Sequence, residues 1–314
     1  MDKTQIVALP RVAVVIATFN RWPWVGEAVE SVLAQTYPNV ECVVVDDAST
    51  DGTSRRLSGE YRNRITLLTR PKNGEKSAAR NDGIRATQAA FVAILDSDDL
   101  LTPDSVEARM RVFLDNPGFD GVVYGPVLEE PDSGRPGRLP DYYPEGEVLK
   151  EYVRRRFVRN PGYLLSTANM RRYGMYREDL THREDVELFI RLACRLEFKC
   201  CRVPVARVRH IDRSARYDYT RYLRQGDRLV GCLRRDPFVL QRLGPTLADV
   251  EFNEAKELAR ARYRSGDNGG FRRSYLELWR RWPRRTLLEA RFLRRFLVSL
   301  VAPGKVKRPL NTPE

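Results

Sequence analysis

Asp96, Asp98 and Asp99 fall within four residues of one another, directly after the apolar run Phe91–Leu95. Carboxylates this close repel one another unless a cation or hydrogen bonds offset their charge. Hard divalent ions such as Mg2+ and Mn2+ take oxygen ligands of this kind and commonly share them with substrate phosphates. Acid-rich turns also cap helices, and Thr102-Pro103 could open one just downstream. The spacing therefore admits either a cation site or a solvated helix start. Two other phosphate-binding devices are absent: there is no G-x-x-x-x-G-K-[ST] loop, and no G-x-G-x-x-G follows the first apolar run.

The acids are positioned by alternating strand and helix patterns. Val12–Ile16 is a continuous apolar run, as expected of a strand buried on both faces, and it leads into Thr18-Phe19-Asn20. Pro23 then opens a helix in which Val25, Ala28, Val29, Val32 and Leu33 recur at helical spacing. A second strand, Glu41–Val45, runs into Asp46-Asp47, and a third spans Ile65–Leu68. The pattern over 77–86 predicts a helix despite its internal Gly83, Phe91–Leu95 is a fourth strand, and Val122–Tyr124 a further one. Strands separated by helices predict an α/β fold with a largely parallel sheet covered on its faces. Ligands of such sheets bind beyond the carboxyl ends of the strands. Asn20, Asp47 and the acids at 96–99 all fall there, so separate strands deliver polar groups to one rim.

Composition narrows the class. Of 314 residues, 42% are hydrophobic and 31% charged, which is globular rather than fibrous or disordered. No apolar run reaches the ~18–20 residues of a membrane span. The opening Met-Asp-Lys-Thr-Gln is not a basic-then-apolar leader. Five cysteines with no C-x-x-C pair predict a reducing cytoplasm rather than a disulfide framework or a zinc site. The net charge of +13 is uneven: residues 1–125 hold 14 basic against 17 acidic residues, whereas residues 251–310 hold 16 against 6. A mildly acidic front and a basic tail suit two regions with different jobs.

The ordered series Val15-Ile16-Ala17-Thr18-Phe19-Asn20-Arg21, Ser31-Val32-Leu33-Ala34-Gln35-Thr36-Tyr37-Pro38, Val44–Thr53, Ala79-Arg80-Asn81-Asp82-Gly83-Ile84 and Leu95–Asp99 closely resembles the family 2 glycosyltransferases, over roughly residues 11–215. The resemblance implies a GT-A fold (a Rossmann-like mixed, mostly parallel sheet covered by helices) as a catalytic domain over 1–215, with a basic helical extension over 216–314, and a nucleotide-sugar donor, a UDP-sugar by family frequency. It also implies a divalent Mn2+ or Mg2+ and an inverting displacement onto a hydroxyl of a glycan or lipid-linked acceptor, in the synthesis of cell-envelope polysaccharide. By the same resemblance Thr18 and Phe19, with Asn20 beside them, line the nucleotide pocket. Asp47 hydrogen-bonds the base, and Arg80 lies near the base or the phosphates. Asp96-x-Asp98 matches the D-x-D motif, its first acid facing the ribose and its last the metal; Asp99 leaves the metal ligand open between Asp98 and Asp99.

Arg183–Ala193 looks like the family's Glu-Asp signature at the start of a helix, with Leu188, Leu192 and Leu196 along a buried edge. Asp185 is then the general base that takes the acceptor proton, a role worth ~10²–10⁴-fold in rate. Glu184 either orients it or touches acceptor. Both acids also suit a helix N-terminus electrostatically. His210, after the run Val203–Val208, is a candidate further metal ligand, or a structural histidine at a strand end.

In the tail, Phe252, Ala255, Ala259 and Tyr263 trace one helix face, and Phe271, Tyr275, Trp279 and Trp282 form an aromatic stripe among arginines. A helix from about Thr286 to Val301 carries Phe292, Leu293, Phe296, Leu297 and Leu300 beside Arg291, Arg294 and Arg295. Such helices suit an anionic membrane surface, giving a peripheral position on the inner face of the membrane; equally, the stripes could pack on the core or on each other. The acidic front half argues against a nucleic-acid partner. Rival readings are a nucleotidyltransferase acting on a sugar phosphate, and an inactive relative that holds a membrane or partner.

Overall fold

The computed structural model describes residues 9–130, 139, 141–209, 222, 223, 225 and 227–301. The chain divides into two compact units: Met1–Asp179 with Glu184–Ile211, and Leu180–Arg183 with Asp212–Glu314.

The first unit is built on β1 (Val12–Thr18), β2 (Val40–Asp46), β3 (Thr66–Thr69), β4 (Phe91–Asp96), β5 (Leu100–Leu101), β6 (Val122–Tyr124), β7 (Val127–Glu129), β8 (Tyr163–Ser166), β9 (Phe198–Cys200) and β10 (Ala206–Val208). Its helices are α1 (Trp24–Leu33), α2 (Thr53–Tyr61), α3 (Glu75–Ala86), α4 (Ser105–Leu114), α5 (Leu149–Arg155), α6 (Thr167–Arg172) and α7 (Glu184–Ala193). Seven strands form one sheet in the order β3-β2-β1-β4-β8-β6-β9, and β5-β10-β7 form a second, smaller one. β1 pairs in parallel with β2 and β4, so Val12 lies between Val40 and Phe91. Central position and covered faces explain why Val12 to Ile16 are fully buried and read as an unbroken apolar run.

The expectation of a mostly parallel sheet holds for β3, β2, β1 and β4, and is interrupted by β8, which runs antiparallel to both β4 and β6. An antiparallel neighbour needs no crossover helix, and β8 is reached by a proline-rich excursion that itself contains β7 and α5. Of the small sheet only β10 was signalled, by the run Val203–Val208; β5 and β7 are too short, at 2 and 3 residues, to leave a pattern.

Helix α3 lies close against the sheet. A methyl group at Gly83 would sit 2.4 Å from Val15 Cγ1 and 3.2 Å from Val45 Cγ2. Val15 is fully buried and stiff about its first side-chain torsion, so it cannot swing away. The glycine thus trades ~1 kcal/mol of helix propensity for contact.

The second unit is helical among its described residues: α8 (Arg228–Arg234), α9 (Pro237–Leu243), α10 (Leu247–Arg264), α11 (Asn268–Arg281), α12 (Pro283–Leu288) and α13 (Ala290–Val301). Phe252, Ala259, Phe271, Tyr275, Leu278 and Phe292 form its core, and Tyr275 stacks on Phe296 with ring centroids 4.3 Å apart. The single helix expected over 286–301 is broken between α12 and α13. Glu289, at the break, accepts a hydrogen bond from Lys256 Nζ at 2.5 Å, which pins the junction to α10. Much of the aromatic stripe therefore packs within this unit, while Trp279, Leu297, Val298 and Leu300 stay exposed. No helix of the described residues is long and apolar enough to cross a membrane.

Gly83→Ala is expected to destabilise the protein by ~1–3 kcal/mol in urea unfolding, although alanine favours helix. Val15→Ala in the same chain should return part of the loss. A stabilised Gly83→Ala protein would refute the close-packing account.

Candidate active site

All of the site described here lies in the first unit. The carboxyl ends of β1, β2 and β4 carry Thr18, Asp46-Asp47 and Asp96 along one rim. Asn20, just past β1, adopts a left-handed backbone with φ 52°. Its side-chain oxygen accepts from the amides of Thr50 at 2.7 Å and Asp51 at 3.3 Å, and its own amide donates to Ser49 Oγ at 2.9 Å. Asn20 therefore ties the β1 turn to the β2 turn. Ala48 and Glu75 also adopt positive φ, at 64° and 67°. For such residues this conformation costs ~1–2 kcal/mol each, and strain of that kind gathers at functional sites.

Asp47 is buried, and both its oxygens accept from the Gly74 amide, at 2.9 and 3.1 Å. Arg70 Nη1 pairs with it at 2.6 Å, while Arg70 Nε reaches Asp82 at 2.8 Å. The carboxylate expected to meet a base thus clamps the loop before α3. Thr18 is buried as expected of a pocket wall, and Phe19 stands 43% exposed at the rim. Thr18 Oγ1 and Asp46 Oδ2 are buried without a hydrogen-bond partner among the described residues. Buried polar atoms are rarely left so, and a bound ligand is one way to satisfy them.

Arg80 is only 3% exposed and donates from Nη1 to Glu184 Oε1 at 2.8 Å and from Nη2 to Asp96 Oδ1. It also lies over the Tyr176 ring, 5.0 Å from its centroid. Rather than reaching outward to phosphates, Arg80 is a buried strut joining the end of β4 to the first residue of α7. Lys76, one helical turn earlier, reaches Glu184 Oε1 at 2.7 Å. Burial works against ionisation of Glu184, but the Lys76 and Arg80 charges overcome it and hold the carboxyl at about 2. Glu184 is 2% exposed. Asp185 follows it, half-buried, with Oδ1 accepting from the Val186 amide at 2.8 Å.

In the acid turn, Asp98 is half-buried and Asp99 buried. Burial pushes both carboxyls above the usual range, and the neighbouring Asp96 charge adds to this. Arg209 closes the turn: its amide donates to Asp99 Oδ1 at 3.0 Å, its Nε to the Asp98 carbonyl at 2.6 Å, and its guanidinium pairs with Glu27. His210 lies outside the described residues. Among the described residues no ligand set of three converges. The donors present are crowded carboxylate oxygens, and these fit a hard divalent cation.

Sequence reasoning missed Arg70, Lys76, Tyr176 and Arg209. Lys76 had a signal, because it sits four residues before Arg80 on a predicted helix and so shares its face. The others meet the site only through the fold.

A model of the family described as Glycosyl transferase family 2 matches residues 13–181. The succinoglycan biosynthesis protein ExoO of Rhizobium meliloti is 38% identical over 111 residues, covering 35% of this chain and 32% of that protein. The match spans between 16% and 51% of the length of the curated relatives. The mannosyltransferase PcManGT from Pyrobaculum calidifontis, solved in complex with GDP-Man and Mn2+, has a TM-score of 0.60 at 21% identity and covers 94% of this chain and 87% of that one. S. aureus TarS 1–349, solved in complex with UDP-GlcNAc, has a TM-score of 0.58 at 16% identity, covering 80% and 81%. The chain belongs to the family 2 glycosyltransferases, and its fold is the GT-A fold.

Because Glu184 titrates at about 2 here against 4.5 as its reference value, its ionised form contributes stability above pH ~4.5 that is lost as pH falls toward 2. Glu184→Gln should therefore cost ~3 kcal/mol at pH 7 by denaturant unfolding. The gap to the unsubstituted protein should narrow below pH 4.5; a gap independent of pH would contradict the assigned ion pairs.

Proposed function

We propose that the enzyme transfers a sugar from a nucleotide-sugar, a UDP-sugar first, to a hydroxyl of a glycan or lipid-linked acceptor, with inversion. The observation that carries this reading is the buried Asp96–Arg80–Glu184 bridge, which joins the acid turn to the helix bearing Asp185. Thr18 and Phe19 would line the nucleotide pocket beside the Asn20-braced turn, with Asp96 toward the ribose. Asp98 and Asp99 would hold a divalent cation, whose chemistry is to offset charge on the departing diphosphate. Asp185 would accept the proton of the attacking hydroxyl. Glu184, held ionised by Lys76 and Arg80, fixes the start of α7 and with it the position of Asp185. The likeness to ExoO supports an acceptor in polysaccharide synthesis, and the complexes of PcManGT and TarS support a nucleotide-sugar donor and, for the former, a metal.

The test is a thermal melt with UDP, GDP, dTDP and CMP, each with Mn2+ and again with EDTA. A nucleotide at ~100 times its Kd should stabilise the fold by ~2.7 kcal/mol. That shift should vanish with EDTA and in Asp98→Asn. Asp185→Asn should keep the shift while slowing UDP release from a UDP-sugar ~10²–10⁴-fold. No shift with any nucleotide, in folded protein, would defeat the reading.

The second unit adds a surface role to the proposal. Leu287 and Leu288 of α12 and Leu297, Val298 and Leu300 of α13 are exposed in a region dense in arginine, a combination suited to anionic headgroups. Vesicles containing phosphatidylglycerol should sediment the protein, and phosphatidylcholine vesicles much less. Leu297→Glu with Leu300→Glu should lower the bound fraction; unchanged partitioning would remove the membrane from the account.

A further inference from the structure

A cavity of about 400 Å³ opens beside the end of β6, lined among others by Tyr124, Tyr142, Phe157, Arg155, Arg159 and Glu129. Its size falls in the ~300–1,000 Å³ range of small-molecule sites. β6 is antiparallel to β8, which is antiparallel to β4, so β6 and β4 point the same way. The cavity therefore lies at the rim that carries the acid turn. Two strand spacings separate β6 from β4 in the sheet order, or ~10 Å at ~4.8 Å per strand.

The walls are held in place before any ligand arrives. The Arg155 guanidinium lies over the Tyr142 ring, 4.4 Å from its centroid. Arg159 pairs with Glu129 at 2.8 Å, and Tyr124 Oη donates to the Pro144 carbonyl at 2.9 Å. Phe157 packs between Tyr124 and Tyr152, at centroid distances of 5.1 and 5.8 Å, and Tyr152 packs on Phe189 of α7 at 5.7 Å. The cavity wall is thus braced against the helix that begins Glu184-Asp185. Such preorganisation lowers the ordering cost of binding.

The lining chemistry selects among ligands. Aromatic faces carry negative charge density and attract the partly positive C–H faces of a sugar ring. Donors and acceptors of both signs around them match hydroxyls, which donate and accept at once.

We propose that this cavity binds a pyranose unit of the acceptor glycan, at a distance from the ring that presents the reacting hydroxyl. The inference rests on the transfer reading above, and the test separates the two. Saturation-transfer NMR is run on the full chain with methyl gluco-, galacto- and mannopyranosides, with diamagnetic Mg2+ and UDP present. At least one glycoside should receive saturation. Tyr142→Ala and Arg155→Ala, both at exposed side chains, should weaken its binding ~2–10-fold while the UDP melting shift stays intact. A silent panel, or a signal indifferent to both substitutions, overturns the subsite even if UDP binds. A Tyr142-dependent signal without any nucleotide shift keeps the sugar site and removes the transfer reading instead.

Discussion

Everything at the rim depends on a guanidinium taken out of water. Arg80 is buried with two carboxylates meeting it, Asp96 at one amino group and Glu184 at the other. Removing one partner of a buried pair leaves an uncompensated charge, at ~3–5 kcal/mol. Such pairs add little net stability, so their worth here is positional. One end of the strut is the last residue of a central strand and the other is the first residue of α7. These elements are distant in sequence and are joined by a bond of fixed length. Around the strut, Asn81 exchanges hydrogen bonds with the Tyr176 backbone at 2.9 and 3.0 Å, and Tyr176 Oη bonds Asn160 and Tyr163. A change at Tyr176 would thus be felt at the acid turn without touching it.

The same economy recurs at the other turns. Asn20 and Asp47 both spend their hydrogen-bonding capacity on neighbouring loops. Arg209 does this for the acid turn. At this rim Thr18 Oγ1, Asp46 Oδ2, Arg80 Nε, Glu184 Oε2 and Arg209 Nη2 are among the buried polar atoms without a hydrogen-bond partner in the described residues. The rim is rigid where it holds itself and under-bonded where it could meet something else.

Much of this was legible in the chain. Val12–Ile16 and Phe91–Leu95 announce themselves because strands covered on both faces cannot alternate. Asp96 closes β4 and Glu184 opens α7, and element ends are where local pattern is informative. What Arg80 does was not legible, since its partners lie 16 and 104 residues away. The role of Gly83 was hidden likewise: a glycine in a helix reads as a local cost, and only Val15 beneath it reveals the gain. The broken helix at Glu289 depends on Lys256, 33 residues earlier. Periodicity reports which face is buried and is silent on tertiary pins.

The reversed strand β8 has a topological outcome. In a wholly parallel sheet every chain segment leaves the rim and returns along the opposite edge through a covering helix. At β8 the chain enters the sheet from the rim instead. Residues 156–162 are consequently delivered to the same edge as the acid turn, with no crossover required between β4 and β8. The sheet has a doorway there, on the side away from β1 and β2, and material approaching from that side would meet a segment already tied down, with Phe157 against Tyr124 and Asn160 bonded to Tyr176.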